Sequence, residues 1–179
     1  MKPLAIVGNG PTRVHAPHDN KDYDVWAMNN HPFLWQKRIT ALFEMHPDAL
    51  TCERYADDYK QWLQQRHDFP IYMHHVHTDI PNSVQFPREE IAQYRGNLFQ
   101  KGGQFVKDFY AESSTYMMAL ALHLGYRRLE LYGIDLNKLE NKQRRDSVFF
   151  WLGILQASHM QIVIHEDSPL ISEALYPFY

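Results

Sequence analysis

The chain opens Leu4-Ala5-Ile6-Val7-Gly8-Asn9-Gly10-Pro11-Thr12-Arg13. Four apolar residues run straight into a turn bracketed by two glycines. A buried parallel strand ends this way beside a phosphate, because glycine lets backbone N–H groups approach an anion closely. The stretch therefore predicts an α/β fold of the Rossmann type, with the ligand site at the carboxyl end of its first strand. Gly8, Asn9, Gly10, Pro11, Thr12 and Arg13 are the candidate phosphate-binding residues.

Working outward, apolar runs predict strands at Leu4–Val7, Asp24–Met28, Ala41–Phe43, Ile71–Met73, 129–132 and Gln161–Ile164. The expected architecture is one Rossmann-like domain, a mostly parallel sheet of about six strands flanked by helices. Helices are expected over residues 51–66, 88–94, 113–124 and 141–158, with a last turn near 169–175. The helix from Ser113 to the glycine at 125 is apolar nearly all round, so it should be buried. Residues 74–111 read as otherwise irregular, a long segment of the kind that closes over a ligand or packs against a second subunit. Polar residues gather at the predicted strand ends, where open α/β sheets bind ligands.

Bulk composition narrows the partners. A length of 179 residues gives one domain with a real core. With 45% hydrophobic and 22% charged residues the chain reads as globular, and a net charge of −3 provides no basic field to attract nucleic acid. Cys52 is the only cysteine, so no internal disulfide forms and nothing points to an oxidising compartment. The apolar run before Gly8 is too short for a signal peptide, and no run approaches the roughly 18 residues of a membrane span. The expected location is the cytoplasm.

The opening departs from the dinucleotide fingerprint. Arg13 stands where the third glycine would be, and Asn29-Asn30 replace the acidic residue that would hold a ribose diol. Too little chain separates Arg13 from the second strand for a full crossover helix, and the lysine of a P-loop is missing. Two amides at the second strand end suit a base edge or sugar hydroxyls beside a phosphate.

Later motifs complete a pattern. Gly8-Asn9-Gly10-Pro11-Thr12, Asp24-Val25-Trp26-Ala27-Met28-Asn29, Ser113-Ser114-Thr115-Tyr116-Met117 and Leu131-Tyr132-Gly133-Ile134-Asp135 resemble, in that order, the family 42 bacterial sialyltransferases. They also resemble related domains that begin with a Gly-Asn-Gly-Pro-Ser type loop, including flagellin-modifying motility accessory factors and an archaeal hydroxymethylpterin diphosphokinase. Phe43-Glu44-Met45-His46, Ile80-Pro81-Asn82-Ser83 and Trp151-Leu152-Gly153 look closest to small phage proteins of that superfamily. The resemblance implies a CMP-sugar donor, no metal requirement, and nucleotide contacts at Asn9, Asn29 and Ser113 or Ser114. It also implies a catalytic histidine in a long lid after Asp135, and there this chain departs, because the next helix follows almost at once.

A replacement base is available in the residues themselves. Glu44 and His46 lie two apart at a strand end, where their side chains share a direction and a carboxylate can support an imidazole that takes a proton. Gly133 and Asp135 mark another strand end. Lys142, Arg144 and Arg145 form a cationic cluster just past it; either they oppose a helix dipole and call for an anion, with Arg144 the ligand contact, or the helix starts later, near Asp146. His74, His75 and His77 have no metal-site spacing, so no metal is expected. Two functions fit: a metal-independent transferase using a nucleotide-activated donor such as a CMP-sugar, or a phage-type accessory protein that binds a nucleotide without turnover. In both, the partner is a small-molecule nucleotide, with no nucleic acid and no membrane span; a homo-oligomer stays open.

Overall fold

The computed structural model describes residues 1–29, 37–95, 99–101, 104–106, 109–136 and 142–171. Its strands are β1 (Leu4–Val7), β2 (Asp24–Met28), β3 (Ala41–Phe43), β4 (Ile71–Met73), β5 (Ser83–Gln85), β6 (Phe99–Lys101), β7 (Gln104–Val106), β8 (Arg128–Tyr132) and β9 (Gln161–Ile164). Seven of them form one sheet in the order β5-β4-β3-β2-β1-β8-β9, and every neighbouring pair is parallel. The chain steps outward from β1 to β5, then resumes on the other side of β1 with β8. The β1–β8 boundary is therefore the topological switch point, where the connections leave in opposite directions and open a crevice at the strands' carboxyl ends.

Strand residues alternate between the two faces. Leu4, Ile6, Trp26, Met28 and Phe43 face a layer built by α3 (Ser113–His123) and α4 (Lys142–Ala157). Ala5, Val7, Val25, Ala27, Leu42 and Ile71 face the opposite layer, where Tyr59 and Leu63 of α1 (Asp57–Leu63) cover them. The helix α3 is buried as its composition predicts. It ends at Gly125, whose φ of +82° permits a left-handed turn. The Gly125 N–H then reaches Leu122 C=O at 3.1 Å and the Tyr126 N–H reaches Ala121 C=O at 3.0 Å, closing the helix as a Schellman turn.

Two expectations need correction. The segment 74–111 is less irregular than expected: beside the expected helix, α2 (Arg88–Arg95), it holds β5 and the antiparallel hairpin β6–β7. The helix expected over 51–66 is confined to Asp57–Leu63. Before it the chain makes a turn, in which the N–H groups of Thr51 and Cys52 donate to Asp48 C=O at 2.9 and 2.8 Å. The helix expected over 141–158 is present as α4, which begins at Lys142, so of the two readings of the basic cluster the one that places it inside the first turn holds. The link from β1 to β2 contains only a 3-10 turn, Pro11–His15, as the short spacing requires. Cys52 is buried.

Candidate functional site

The exits of β1 and β8 are locked together by glycine. The Gly8 N–H donates to Tyr132 C=O and the Gly10 N–H to Gly133 C=O, each at 2.7 Å. Gly133 has φ +67°, and a Cβ placed on Gly8 would stand 2.5 Å from the Gly133 carbonyl oxygen. A Cβ on Gly10 would collide with the Asp135 carboxylate. These glycines thus serve close approach of two backbones, and the N–H groups of Gly8 and Gly10 are spent inside the loop. Thr12 completes the lock. Its hydroxyl donates to Asp135 Oδ1 at 2.8 Å and accepts the Gly133 N–H at 2.7 Å. Asp135 also accepts the Ser168 hydroxyl at 3.0 Å. Arg13 turns back on the loop, its Nη1 donating to the carbonyls of Asn9 and Gly10 at 3.0 and 3.1 Å.

Above this lock lies a cavity of about 610 Å³, lined by Asn9, Gly10, Pro11, Asn29, His46 and Glu112 together with Ser113, Gly133, Asp135 and Arg144, over an apolar floor that includes Met28 and Ile134. Most of the strand-end residues singled out in the sequence meet here. Asn29 ends β2 in the left-handed region, φ +53°, which asparagine tolerates better than most residues, and its Oδ1 accepts the Ser113 hydroxyl at 3.3 Å. Ser114, by contrast, is fully buried, and its Oγ has no hydrogen-bond partner among the described residues. Glu112, not a serine, occupies the N-cap of α3. Asn30 lies outside the described residues.

His46 stands on the cavity wall and is organised from behind. Its Nδ1 is 2.7 Å from Glu44 Oε1. The Tyr55 hydroxyl is also 2.6 Å from Nδ1; with its proton donated to Glu44, both it and the carboxylate can only accept from Nδ1, which then carries the proton and leaves the Nε2 lone pair free in the neutral ring. Glu44 is fully buried, and two tyrosines hold it: Tyr55 donates to Oε1 at 3.1 Å and Tyr59 to Oε2 at 2.7 Å. The hydrogen bond to Glu44 raises the His46 pKa above its ordinary value, with burial opposing. Burial, reinforced by Glu44, raises both tyrosines as well, keeping them protonated donors. The arrangement is a base oriented by a carboxylate that is itself fixed by two hydroxyls. Tyr55 and Tyr59 stand four residues apart, a spacing that by itself reads as the buried face of a helix; a carboxylate at a strand end, in need of donors, was the available signal.

Glu112 is a third site residue that the sequence did not single out. Its Oε1 is buried with no hydrogen-bond partner among the described residues. Burial pushes its carboxyl up to about 7, while Arg144 and the Ser114 backbone N–H pull it down. Arg144 is exposed at the cavity's edge, in a first turn that has no acidic residue to offset its cations. Arg145 is occupied elsewhere, donating to Leu170 C=O at 2.8 Å and lying over Phe149. A second cavity, of about 630 Å³, is lined by Pro47, His74, His75, Phe86 and Arg88 among others. His74 packs edge-on against Tyr116, and among the described residues no group of three metal-ligating side chains includes 74, 75 or 77.

No protein-family profile matches the chain, and no curated protein sequence does. Solved structures do. The sialyltransferase CstII from Campylobacter jejuni, in complex with the substrate analogue cytidine-5'-monophosphate, matches with a TM-score of 0.56 and 19% identity, over 95% of this chain and 82% of that one. Sialyltransferase CST-II in complex with a trisaccharide acceptor and CMP matches with a TM-score of 0.56 and 17% identity, over 91% and 80%. Monomeric CstII gives 0.57 and 18%, over 91% and 80%. At these identities the likeness shows the fold: a sialyltransferase-like α/β domain.

Proposed function

We propose that the switch-point cavity binds a CMP-type nucleotide and that the protein transfers the activated group, a sugar, to an acceptor hydroxyl. The observation that carries this reading is convergence. Asn9, Asn29 and Ser113 reach one cavity from three elements, with the His46–Glu44 pair on its wall and Arg144 at its edge. Asn9 and the adjoining loop would meet the phosphate, with Asn29 and Ser113 contacting the nucleoside. CMP-bound neighbours of the same fold support that choice of nucleotide.

The chemistry then follows from the site. The acceptor hydroxyl gives its proton to Nε2 of His46, and Glu44 stabilises the imidazolium that forms. The acceptor oxygen bonds to the sugar carbon as the bond from that carbon to the nucleotide phosphate breaks. Arg144 neutralises the departing phosphate, a task that otherwise calls for a metal ion. In this reading one nucleotide-binding domain spans residues 1–179 and works in the cytoplasm, with residues 74–111 closing over the ligand or packing against a second subunit.

One observation favours a second reading, a phage-type accessory protein that binds a nucleotide without turnover. Only residues 133–141 join β8 to α4, so the lid histidine implied by the resemblance has no counterpart. Incubation with CMP, CDP, UDP, ADP and their sugars separates the two. Stabilisation by CMP with slow donor hydrolysis, lost in His46→Gln, supports the transferase. Binding without any turnover supports the accessory protein, and stabilisation by no nucleotide overturns both.

A further inference from the structure

Outside the nucleotide cavity, the described residues bring another group of chemistry-bearing side chains together: His15, His165 and Asp167. His15 is the last residue of the 3-10 turn that follows the glycine loop, and His165 directly follows β9. The two imidazoles stack with centroids 4.0 Å apart and planes 11° from parallel. Asp167 Oδ2 lies 3.5 Å from His15 Nε2 and 3.7 Å from His165 Nδ1. The three candidate ligand atoms all lie within 4.8 Å of one another. The backbone N–H of Asp167 points at His165 Nδ1 from 3.2 Å. An N–H can only donate, so Nδ1 is the unprotonated ring nitrogen and its lone pair faces Asp167.

We propose that His15, His165 and Asp167 bind one divalent transition metal ion of the zinc class, clamping the turn after the glycine loop to the exit of β9. The donor set argues for that class. Two imidazoles and one carboxylate suit zinc, cobalt or nickel, whereas magnesium and calcium favour oxygen alone. The spacing argues for it too. Bonds of about 2.1 Å in a tetrahedral site set ligand atoms about 3.4 Å apart, close to the two distances that Asp167 makes. The remaining edge closes by side-chain rotation, for which His15 and Asp167, 44% and 67% exposed, have room. Coordination would replace the long N–H contact on Nδ1, and water would take the fourth position.

The clamp has a structural consequence. The Ser168 N–H donates to His165 C=O at 2.9 Å, and the Ser168 hydroxyl holds Asp135, the anchor of Thr12 and the glycine loop. A metal between His15 and Asp167 therefore braces the same two segments that Asp135 and Ser168 already join. It lies outside the cavity and takes no part in the proposed transfer.

The test uses cobalt(II) as a visible probe and zinc as its competitor, with the full chain freed of metal and of any histidine tag, near neutral pH and without nucleotide. The expected result is one saturable cobalt(II) site per chain with the absorption of nitrogen and oxygen ligands, displaced by zinc, and a metal-dependent rise in Tm. His15→Ala and Asp167→Ala each lower the affinity at least about tenfold and abolish the Tm rise, while His75→Ala, in the histidine-rich segment, changes neither. Both altered side chains are exposed, and far-UV circular dichroism confirms that the variants fold. The inference is overturned if no one-to-one binding is seen, or if His15→Ala and Asp167→Ala bind as tightly as the parent.

Discussion

Replacing Glu44 with alanine should be among the most damaging single changes in this protein, and the structure says by how much. The carboxylate accepts from Tyr55, Tyr59 and His46. His46 is half-buried and its Nδ1 keeps the Tyr55 hydroxyl at 2.6 Å, so these two side chains lose little. Tyr59 is 2% exposed, and its hydroxyl loses the Glu44 acceptor in a buried position. A buried hydroxyl's lost bond costs about 1–3 kcal/mol, and the side-chain volume left empty adds about 1 kcal/mol. Glu44→Ala is therefore expected to lose about 2–4 kcal/mol in urea denaturation, equivalent to about 4–16 °C in Tm for a chain of this size. Adding Tyr59→Phe removes that hydroxyl, so the double variant should regain about 1–3 kcal/mol relative to the sum of the single losses. Glu44→Gln keeps the shape but removes the charge, and the His46 pKa read by imidazole NMR should fall toward its ordinary value. The raised folded-state pKa gives His46 a stabilising contribution that is complete below the unfolded value of about 6.5. That contribution is lost as pH rises through the folded value, so the gap between parent and Glu44→Gln should narrow toward alkaline pH. A loss below about 1 kcal/mol for Glu44→Ala, or no coupling with Tyr59→Phe, would refute the reasoning.

Other consequences are equally direct. Gly10→Ala drives a Cβ into the Asp135 carboxylate, which Thr12 and Ser168 hold in place, so thermal denaturation should show a loss of about 1–3 kcal/mol. Glu112, pushed up to about 7 by burial, binds more protons folded than unfolded. It therefore subtracts stability as pH rises from about 4.5 through 7, and Glu112→Gln should gain on the order of 2 kcal/mol over the parent above that range, with little gain at low pH, in denaturation series at both ends. Arg144→Ala removes an exposed cation from a helix start, so Tm should hold or rise slightly, while calorimetric CMP affinity falls about ten- to hundredfold.

The frame of this site was legible in the sequence where chemistry and spacing agree. Four apolar residues followed by Gly8 could only be a buried strand leaving a sheet, and the Glu44–His46 pair follows from strand periodicity alone. The strand β5 was not legible: an edge strand of Ser83, Val84 and Gln85 is partly solvated and carries no apolar alternation. The helix expected over 141–158 was legible, and it begins at Lys142 although cations in its first turn oppose the helix dipole. The hydrogen bonds that the Gly8 and Gly10 N–H groups make were not legible for a different reason. Their partners, Tyr132 and Gly133, are more than a hundred residues away, and only the parallel pairing of β1 with β8 brings them into range. Tyr55 was hidden for a local reason: it stands before α1 and not on the helical face that its spacing from Tyr59 suggests.

The central claim is that a CMP-type nucleotide occupies the crevice between β1 and β8. An NMR titration of the isotope-labelled chain with CMP tests it most directly. A nucleotide in that crevice gives saturable shifts of the backbone amides of Asn9, Asn29, Ser113 and Gly133 and of the His46 imidazole, with the amides of His74, His75 and Arg88 around the second cavity unmoved. Saturable shifts confined to that second cavity, or none with any nucleotide, would contradict it.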